Sequence, residues 1–174
     1  MESIDYKVSK STVECYKIRC DSFYWADITI DASGNKGRIQ IASDFGNWQN
    51  YWSACGMPFK DFLKKLNIDY FASKVGADKW FDLDKTIEGL REHVNDYAQD
   101  KDLKDGLKKE LSYLELSDGK DEFIHKMYES NLLMDMTDQC PDMVYSIEPS
   151  FQRFWDELWS VFIAEIIKED IKLV

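Results

Sequence analysis

The first third of the chain alternates apolar and polar side chains with the period of β-strands. Between residues 23 and 31, Ala26, Ile28 and Ile30 alternate with polar or bulky neighbours, as in a half-buried strand. Shorter runs over residues 12–20 and 38–43 share this period, and the turn residues of segment 34–37 separate two of the runs. The pattern predicts a three-stranded antiparallel meander within residues 1–45 that needs cover on one face.

After Pro58 the apolar positions recur at intervals of three and four residues, which is the period of amphipathic helices. The predicted helices cover residues 58–66, 83–97, 103–114, 123–136 and a final stretch that Ser150 can cap. The last of these has the broadest apolar face, so we expect it at the centre of the core. The predicted fold class is α+β, with an N-terminal three-stranded antiparallel sheet packed against a predominantly helical C-terminal two thirds. We expect one domain over residues 1–174.

An aromatic-rich segment separates the two patterns. Residues 46–76 are predicted to form an aromatic loop and short helices, and residues 77–174 an acidic helical part. Trp48, Tyr51 and Trp52 lie close together in the first of these stretches. Exposed aromatic side chains are frequent anchors for a partner, but aromatic side chains also link a sheet to its helices in a core. The sequence leaves both interpretations open.

The charge of the chain is distributed unevenly. The net charge is −11, yet residues 1–60 carry seven basic and seven acidic side chains, so the whole imbalance lies in residues 61–174. Binding to a phosphate backbone requires clustered Lys and Arg side chains. We therefore expect no direct nucleic-acid binding, and we expect a partner with a basic surface.

The sequence also bounds the location of the protein. No apolar run approaches 18 residues, which excludes a membrane span, and residues 1–10 lack an apolar signal region. We expect a protein of the cytoplasm that has no membrane partner. In that reducing compartment the four cysteines, which are Cys15, Cys20, Cys55 and Cys140, are predicted to be free thiols.

No sequence motif fixes a reaction. The chain lacks the nucleophile elbow, the phosphate-binding loop and the dinucleotide-binding motif, and its two histidines lie singly on predicted helices. We predict no catalytic residue, no metal ligand and no cofactor. The alternative is a metal site formed by Asp27, Asp31 and Asp44, because hard cations prefer carboxylates. The same residues are also typical of a polar sheet face and its turns.

A row of carboxylates is the most distinctive charged feature. Glu88, Glu92, Asp96 and Asp100 recur every four residues, which places them on one side of the predicted helix about 6 Å apart. Like charges at this spacing are mildly destabilising. Such a row has the spacing to imitate a nucleic-acid backbone, although the solvated face of an acidic protein shows the same pattern. Together with Trp48, Tyr51 and Trp52, these four residues are the predicted partner-binding residues.

Part of the chain resembles a known family. Residues 37–76 contain an I-x-I strand, the sequence S-D-F-G, clustered aromatic residues, a C-G pair and the helix pattern F-x-x-F-L. The residues that carry the pattern are Ile39, Ile41, Ser43 to Gly46, Trp48, Tyr51, Trp52, Cys55, Gly56, Phe59, Phe62 and Leu63. This pattern resembles a family of small uncharacterised accessory proteins encoded by bacteriophages and prophages. The resemblance implies a phage or mobile-element gene that acts in the bacterial cytoplasm.

Two main hypotheses follow. The first is a non-enzymatic acidic phage protein that binds and inhibits a host protein, such as a nucleic-acid-binding defence effector, in the manner of an anti-CRISPR protein or a nucleic-acid mimic. The second is a metal-dependent enzyme or accessory factor of phage nucleic-acid metabolism. A third hypothesis makes the aromatic segment the interface of a homo-oligomer.

Overall fold

Four antiparallel strands, arranged in chain order, form the main sheet of the protein. The computed structural model describes residues 7–21, 23–138 and 141–172. The strands are β1 (Glu14–Arg19), β2 (Trp25–Ser33), β3 (Lys36–Ser43) and β4 (Gly46–Trp52). The α+β class predicted from the sequence is confirmed. The prediction of three strands ending near residue 45 is wrong, because the aromatic segment supplies a fourth.

The hairpin between β3 and β4 explains the additional strand. Ser43 pairs with Gly46 across a two-residue turn, and the Ser43 hydroxyl donates a hydrogen bond of 2.8 Å to the Gly46 carbonyl. Gly46 is required there, because a Cβ atom would lie 2.7 Å from the ring of Trp48. Beyond the turn, Trp48 and Trp52 face inward while Tyr51 between them faces solvent, which is the alternation of a strand.

The predicted hairpin at residues 34–37 is confirmed. Ser33 pairs with Lys36, and Gly34 between them has a positive φ of 63°, which a two-residue hairpin turn requires at its first position. Gly37 follows on the inner face of the sheet. The ring of Phe59 lies so close that a Cβ atom on Gly37 would be 2.4 Å away, so the strand has no room for a larger residue there.

The inner face of the sheet is apolar, and four helices cover it. These helices are α1 (Phe59–Leu63), α2 (Ile68–Val75), α7 (Pro149–Phe154) and α8 (Ser160–Lys172), and a π-helical turn, Trp155–Trp159, joins the last two. The ring of Trp48 lies 4.9 Å from that of Phe151 and 5.2 Å from that of Phe154. The indole of Trp52 donates a hydrogen bond of 3.0 Å to Tyr70. Through these two tryptophans the sheet therefore contacts α2, which follows it directly in sequence, and α7 near the end of the chain.

The first of the C-terminal helices begins two residues earlier than a cap at Ser150 predicts. Pro149 occupies the first helical turn, where its missing N–H costs nothing, and Ser150 lies inside the helix. The Ser150 hydroxyl donates to the carboxylate of Glu148 rather than capping the helix. Phe162 and Ile166 of α8 are fully buried, so the expectation of a central final helix is confirmed.

The described chain divides into two compact units. Unit 1 contains residues 1–77 and 147–174, with the main sheet, and unit 2 contains residues 78–146. Unit 2 has its own apolar core, built mainly by four helices. Its elements are β5 (Trp80–Phe81), α3 (Leu83–Tyr97), α4 (Lys101–Leu114), α5 (Lys120–Glu129), α6 (Asn131–Met136) and β6 (Tyr145–Ser146).

The helices of unit 2 follow the predicted periodicity with one interruption. The bounds of α3 are those predicted, and α4 begins two residues before the predicted start. The predicted helix over residues 123–136 is divided at Ser130, whose side chain accepts a hydrogen bond from the backbone N–H of Leu133 and caps α6.

Among the described residues, no helix is both long enough and apolar enough to span a membrane. Cys15, Cys20 and Cys55 are free thiols, and Cys140 lies outside the described residues.

A polar cluster fastens the last helix of unit 1 to the edge of the sheet. The Lys60 ammonium donates hydrogen bonds to Glu14 (2.6 Å), Tyr16 (2.9 Å) and Glu169 (3.0 Å). The hydrogen bond from Lys60 lowers the pKa of Glu14. Burial, together with the two carboxylates, raises the pKa of Tyr16. Burial alone would lower the pKa of Lys60, but its three hydrogen bonds outweigh burial and raise it.

The burial of Trp48 leads to a stability prediction. We expect Trp48→Ala to lower the free energy of unfolding by about 3–5 kcal/mol, because it leaves a cavity in the core of unit 1. Tyr51→Ala on the same strand is expected to change it by no more than about 0.5 kcal/mol, because Tyr51 is exposed. Urea denaturation of the two variants measures the difference. Equal losses in both variants would contradict the placement of β4.

The Lys60 cluster predicts how stability depends on pH. Because the pKa of Glu14 is lower in the folded protein than its usual value of 4.5, the ionised Glu14 carboxylate stabilises the fold above pH 4.5. This contribution is lost as the pH falls through the pKa that Glu14 has in the folded protein. The raised pKa values of Lys60 and Tyr16 stabilise the fold below their usual values of 10.5 and 10.0, and are lost as the pH rises further. We therefore expect Lys60→Met to destabilise the protein by about 1–2 kcal/mol near neutral pH and to flatten the acidic slope, because Glu14 loses the partner that lowers its pKa.

The measurement is the free energy of unfolding in urea between acidic and alkaline pH. Lys65→Met is the matched control, because Lys65 is exposed on the same stretch of chain and forms no ion pair with a described residue. Identical pH profiles for the two variants would show that the cluster does not stabilise unit 1.

Candidate functional site

Helix α3 separates its apolar and acidic residues on opposite faces. Asp82 caps the helix by accepting a hydrogen bond of 3.1 Å from the backbone N–H of Lys85. Ile87, Leu90 and Val94 are buried in the core of unit 2. The opposite face exposes carboxylates one turn apart. We call Glu88, Glu92 and Asp96 the carboxylate row; all three are exposed.

The carboxylate row is not neutralised by neighbouring side chains. Within the described part of the chain, none of its three members forms an ion pair. The basic residues nearest in unit 2 have other partners: Arg91 pairs with Glu115 across α3 and α4, and Lys85 pairs with Asp82 at 3.0 Å. The row therefore presents uncompensated negative charge to solvent.

Most of the net charge of the protein lies in the unit that carries the row. Residues 78–146 contain eighteen acidic and nine basic side chains, so unit 2 has a net charge of −9. Unit 1, with fifteen acidic and thirteen basic side chains, has a net charge of −2. The acidity predicted for the helical part thus belongs to one compact unit, and charges on a compact body act together on an approaching partner.

The fourth predicted member of the row lies elsewhere. Helix α3 ends at Tyr97, and Ala98 after it is extended, so Asp100 is not on the same helix. The Asp100 carboxylate instead accepts a hydrogen bond of 2.9 Å from the backbone N–H of Leu103 and caps α4. The prediction that four carboxylates line one helix is corrected to three, because spacing alone does not show where a helix ends.

Clefts lie on both sides of the row within unit 2. One, of about 380 Å³, lies between α3 and α4 and contains the Arg91–Glu115 ion pair. The other, of about 440 Å³, lies on the opposite side of α3 and includes His93, Tyr97, Asp138 and Asp142. Both are large enough to admit a side chain of a partner. The loop residues Asp138 and Asp142 had no signal in the sequence, because only tertiary structure brings them beside α3.

Among the residues that the structure describes, the second cleft brings no nucleophile into hydrogen-bond contact with His93. His93 is exposed, and its nearest aromatic neighbour is Tyr97, with ring centroids 6.3 Å apart. No described side chain forms a hydrogen bond with the imidazole, so His93 has neither a nucleophile to activate nor a group to orient it.

The three aromatic residues predicted to bind a partner have different positions. Trp48 and Trp52 are 9% and 6% exposed, so they belong to the core of unit 1 and offer no surface to a partner. Tyr51 is 53% exposed on the outer face of the sheet. The structure therefore favours the core interpretation for the two tryptophans and leaves Tyr51 as the one accessible member of the three.

The three aspartates of the alternative metal site do not converge. Asp27 pairs with Arg19 at 2.7 Å, and the hydrogen bond from this arginine lowers the pKa of its carboxyl. Asp44 accepts a hydrogen bond of 2.8 Å from the backbone N–H of Trp25. Across the ranges that the structure describes, no group of three His, Cys, Asp or Glu side chains is placed to hold a metal ion.

The fold and the site define an α+β protein whose helical unit displays a row of three exposed carboxylates. The chain belongs to the phage family Phage_phiTE_072, whose model matches residues 6–169. This match extends the resemblance seen over residues 37–76 to nearly the whole chain and confirms the phage association. No curated protein and no solved structure matches the chain.

The different roles of the carboxylates can be tested by stability. We expect Asp100→Ala to lower the free energy of unfolding by about 0.5–2 kcal/mol, because the first turn of α4 loses its cap. Asp96→Ala is the matched control and is expected to be neutral or slightly stabilising, because a negative charge near the end of α3 opposes the helix dipole. Urea denaturation distinguishes them. A neutral Asp100→Ala would contradict the capping role.

Proposed function

We propose that this phage protein binds a basic surface on a host protein and inhibits that protein, and that the carboxylate row is the centre of the contact. The observation that supports the proposal best is the concentration of a net charge of −9 in unit 2, with three exposed carboxylates on one face of α3 that pair with no described residue. Charge of one sign on a compact body raises the rate of encounter with a partner of opposite sign.

The row is better explained by binding than by folding. Glu88, Glu92 and Asp96 are exposed and repel each other at successive turns, so their mutual repulsion opposes the stability of α3. Nearby arginine and lysine side chains could have neutralised them, but Arg91 and Lys85 are engaged with Glu115 and Asp82. A cost to stability that no local contact offsets is typical of a surface kept for a partner.

The class of partner follows from the geometry of the charge. A helix holds successive carboxylates of the row about 6 Å apart on a rigid rod. A protein that binds nucleic acid has a groove lined with Lys and Arg side chains that accepts such a series of anions. We therefore propose a nucleic-acid-binding defence effector of the bacterial host as the partner, with this protein acting in the cytoplasm as an anti-CRISPR-like inhibitor or nucleic-acid mimic.

The experiment measures association with the partner at several ionic strengths. Glu88→Gln, Glu92→Gln and Asp96→Asn combined remove the charge of the row and keep its shape. We expect the triple variant to associate about ten times more slowly at low salt and to show a shallower salt dependence, while its stability stays unchanged or rises slightly. Stopped-flow or biosensor kinetics with the partner isolated from the host give both quantities.

A matched control changes the net charge by the same amount in unit 1. Asp31, Asp69 and Asp156 are exposed there, and their replacement by Asn should leave the association rate close to that of the wild type. If the control slowed association as much as the row variant, net charge alone would account for the rate. Unchanged kinetics in the row variant would exclude the row from the contact.

A further inference from the structure

The outer face of the main sheet is open to solvent. The four covering helices pack only on the inner face, where Ala26, Ile28 and Ile39 are fully buried. Residues at the alternate positions of every strand are exposed or partly exposed. The outer residues include Arg19, Trp25, Arg38, Gln40, Gln49 and Tyr51.

The charge on this outer face has the opposite sign to that of the whole chain. Lys17, Arg19, Lys36 and Arg38 supply four positive charges, whereas Asp27 and Asp31 supply two negative ones. One of these aspartates, Asp27, is paired with Arg19. A basic surplus on one face of a protein with a net charge of −11 attracts an anionic ligand locally, because fields of distant charges are screened over about 10 Å at 0.1 M salt.

Two aromatic rings on the outer face are each accompanied by an arginine. The guanidinium of Arg19 lies 5.4 Å from the ring centroid of Trp25, and that of Arg38 lies 5.9 Å from the ring of Tyr51. Arg38 and Tyr51 are directly opposite each other in the register of β3 and β4. Planar guanidinium groups and aromatic rings are the groups on which unstacked bases stack.

Hydrogen-bonding side chains occupy the space between the two rings. Thr29, Gln40 and Gln49 lie opposite one another on β2, β3 and β4 and form one row across the sheet. The amide of Gln40 lies 3.4 Å from that of Gln49, so the pair retains donors and acceptors for a ligand. Trp25 and Asp31 are six residues apart on β2, or about 20 Å, which gives the face room for several nucleotides.

We propose that this outer face binds single-stranded nucleic acid. Basic side chains would contact the phosphates, the two ring–arginine pairs would stack with bases, and the Gln40–Gln49 pair would contact base edges. A duplex fits less well, because its bases are stacked on each other and unavailable to the rings. The expectation of no direct nucleic-acid binding came from the charge of the whole chain, which conceals the basic face of unit 1. This proposal is independent of the carboxylate row.

The test uses the full chain and a fluorescein-labelled oligothymidylate or oligouridylate of about twelve nucleotides, which exceeds the smallest sites on comparable sheets. Fluorescence anisotropy at roughly 50 mM salt is expected to give a dissociation constant on the order of 1–100 μM that weakens with added salt. The double variant Tyr51→Ala, Arg38→Gln is expected to bind about fivefold more weakly or worse.

The control is the double variant Tyr113→Ala, Lys109→Gln. Tyr113 is 50% exposed in unit 2 and has the ammonium of Lys126 over its ring, so it matches Tyr51 in exposure and in its cation contact. The control is expected to bind like the wild type. Absence of binding by the wild type, equal binding by both double variants, or tighter binding to a duplex of the same length would each overturn the proposal.

Discussion

The aromatic packing between the inner face of the sheet and the C-terminal helices is the contact on which the rest of the structure depends. Trp48 on β4 meets Phe151 and Phe154, residues that the chain supplies only after the whole of unit 2. Phe71 of α2 contacts Trp159 in the same core, with ring centroids 4.8 Å apart. Without these helices the sheet would expose the apolar side chains of its inner face, which four strands alone cannot bury.

This closure has a consequence for unit 2. Joining residues 1–77 to residues 147–174 costs loop-closure entropy, but that cost rises only slowly with the length of the intervening chain. A long insertion is therefore tolerated when it has a core of its own, as unit 2 does.

The two units also differ in the sign of their notable surfaces. Unit 2 carries the carboxylate row and most of the negative charge, whereas the outer face of the sheet in unit 1 has a basic surplus and two arginine–aromatic pairs. Uniform acidity would have produced neither pattern.

Periodicity predicted the features that depend on local sequence. The bounds of α3 and the inward residues of β2 and β3 are as predicted, because each face repeats regularly over several turns or residues. The fourth strand was missed because Asn50 interrupts its apolar face and because aromatic residues pack equally well in loops. Asp100 was misplaced because a helix end depends on capping geometry rather than on spacing.

The features of the site that sequence could not predict depend on tertiary contacts. The burial of Trp48 requires helices from the end of the chain, and the cleft beside His93 requires the loop at Asp138. The basic outer face was concealed for a different reason. Its residues come from four strands, and only the register of the sheet brings Arg38 opposite Tyr51.

The central claim is that carboxylates of unit 2 meet basic side chains of a host protein. Zero-length carbodiimide cross-linking joins carboxylates to lysine ammonium groups in direct contact, so mass spectrometry of the cross-linked complex tests the claim at the level of single residues. Lysines of the host protein are expected to become linked to Glu88, Glu92 or Asp96 of α3. Links confined to carboxylates of unit 1 would contradict it.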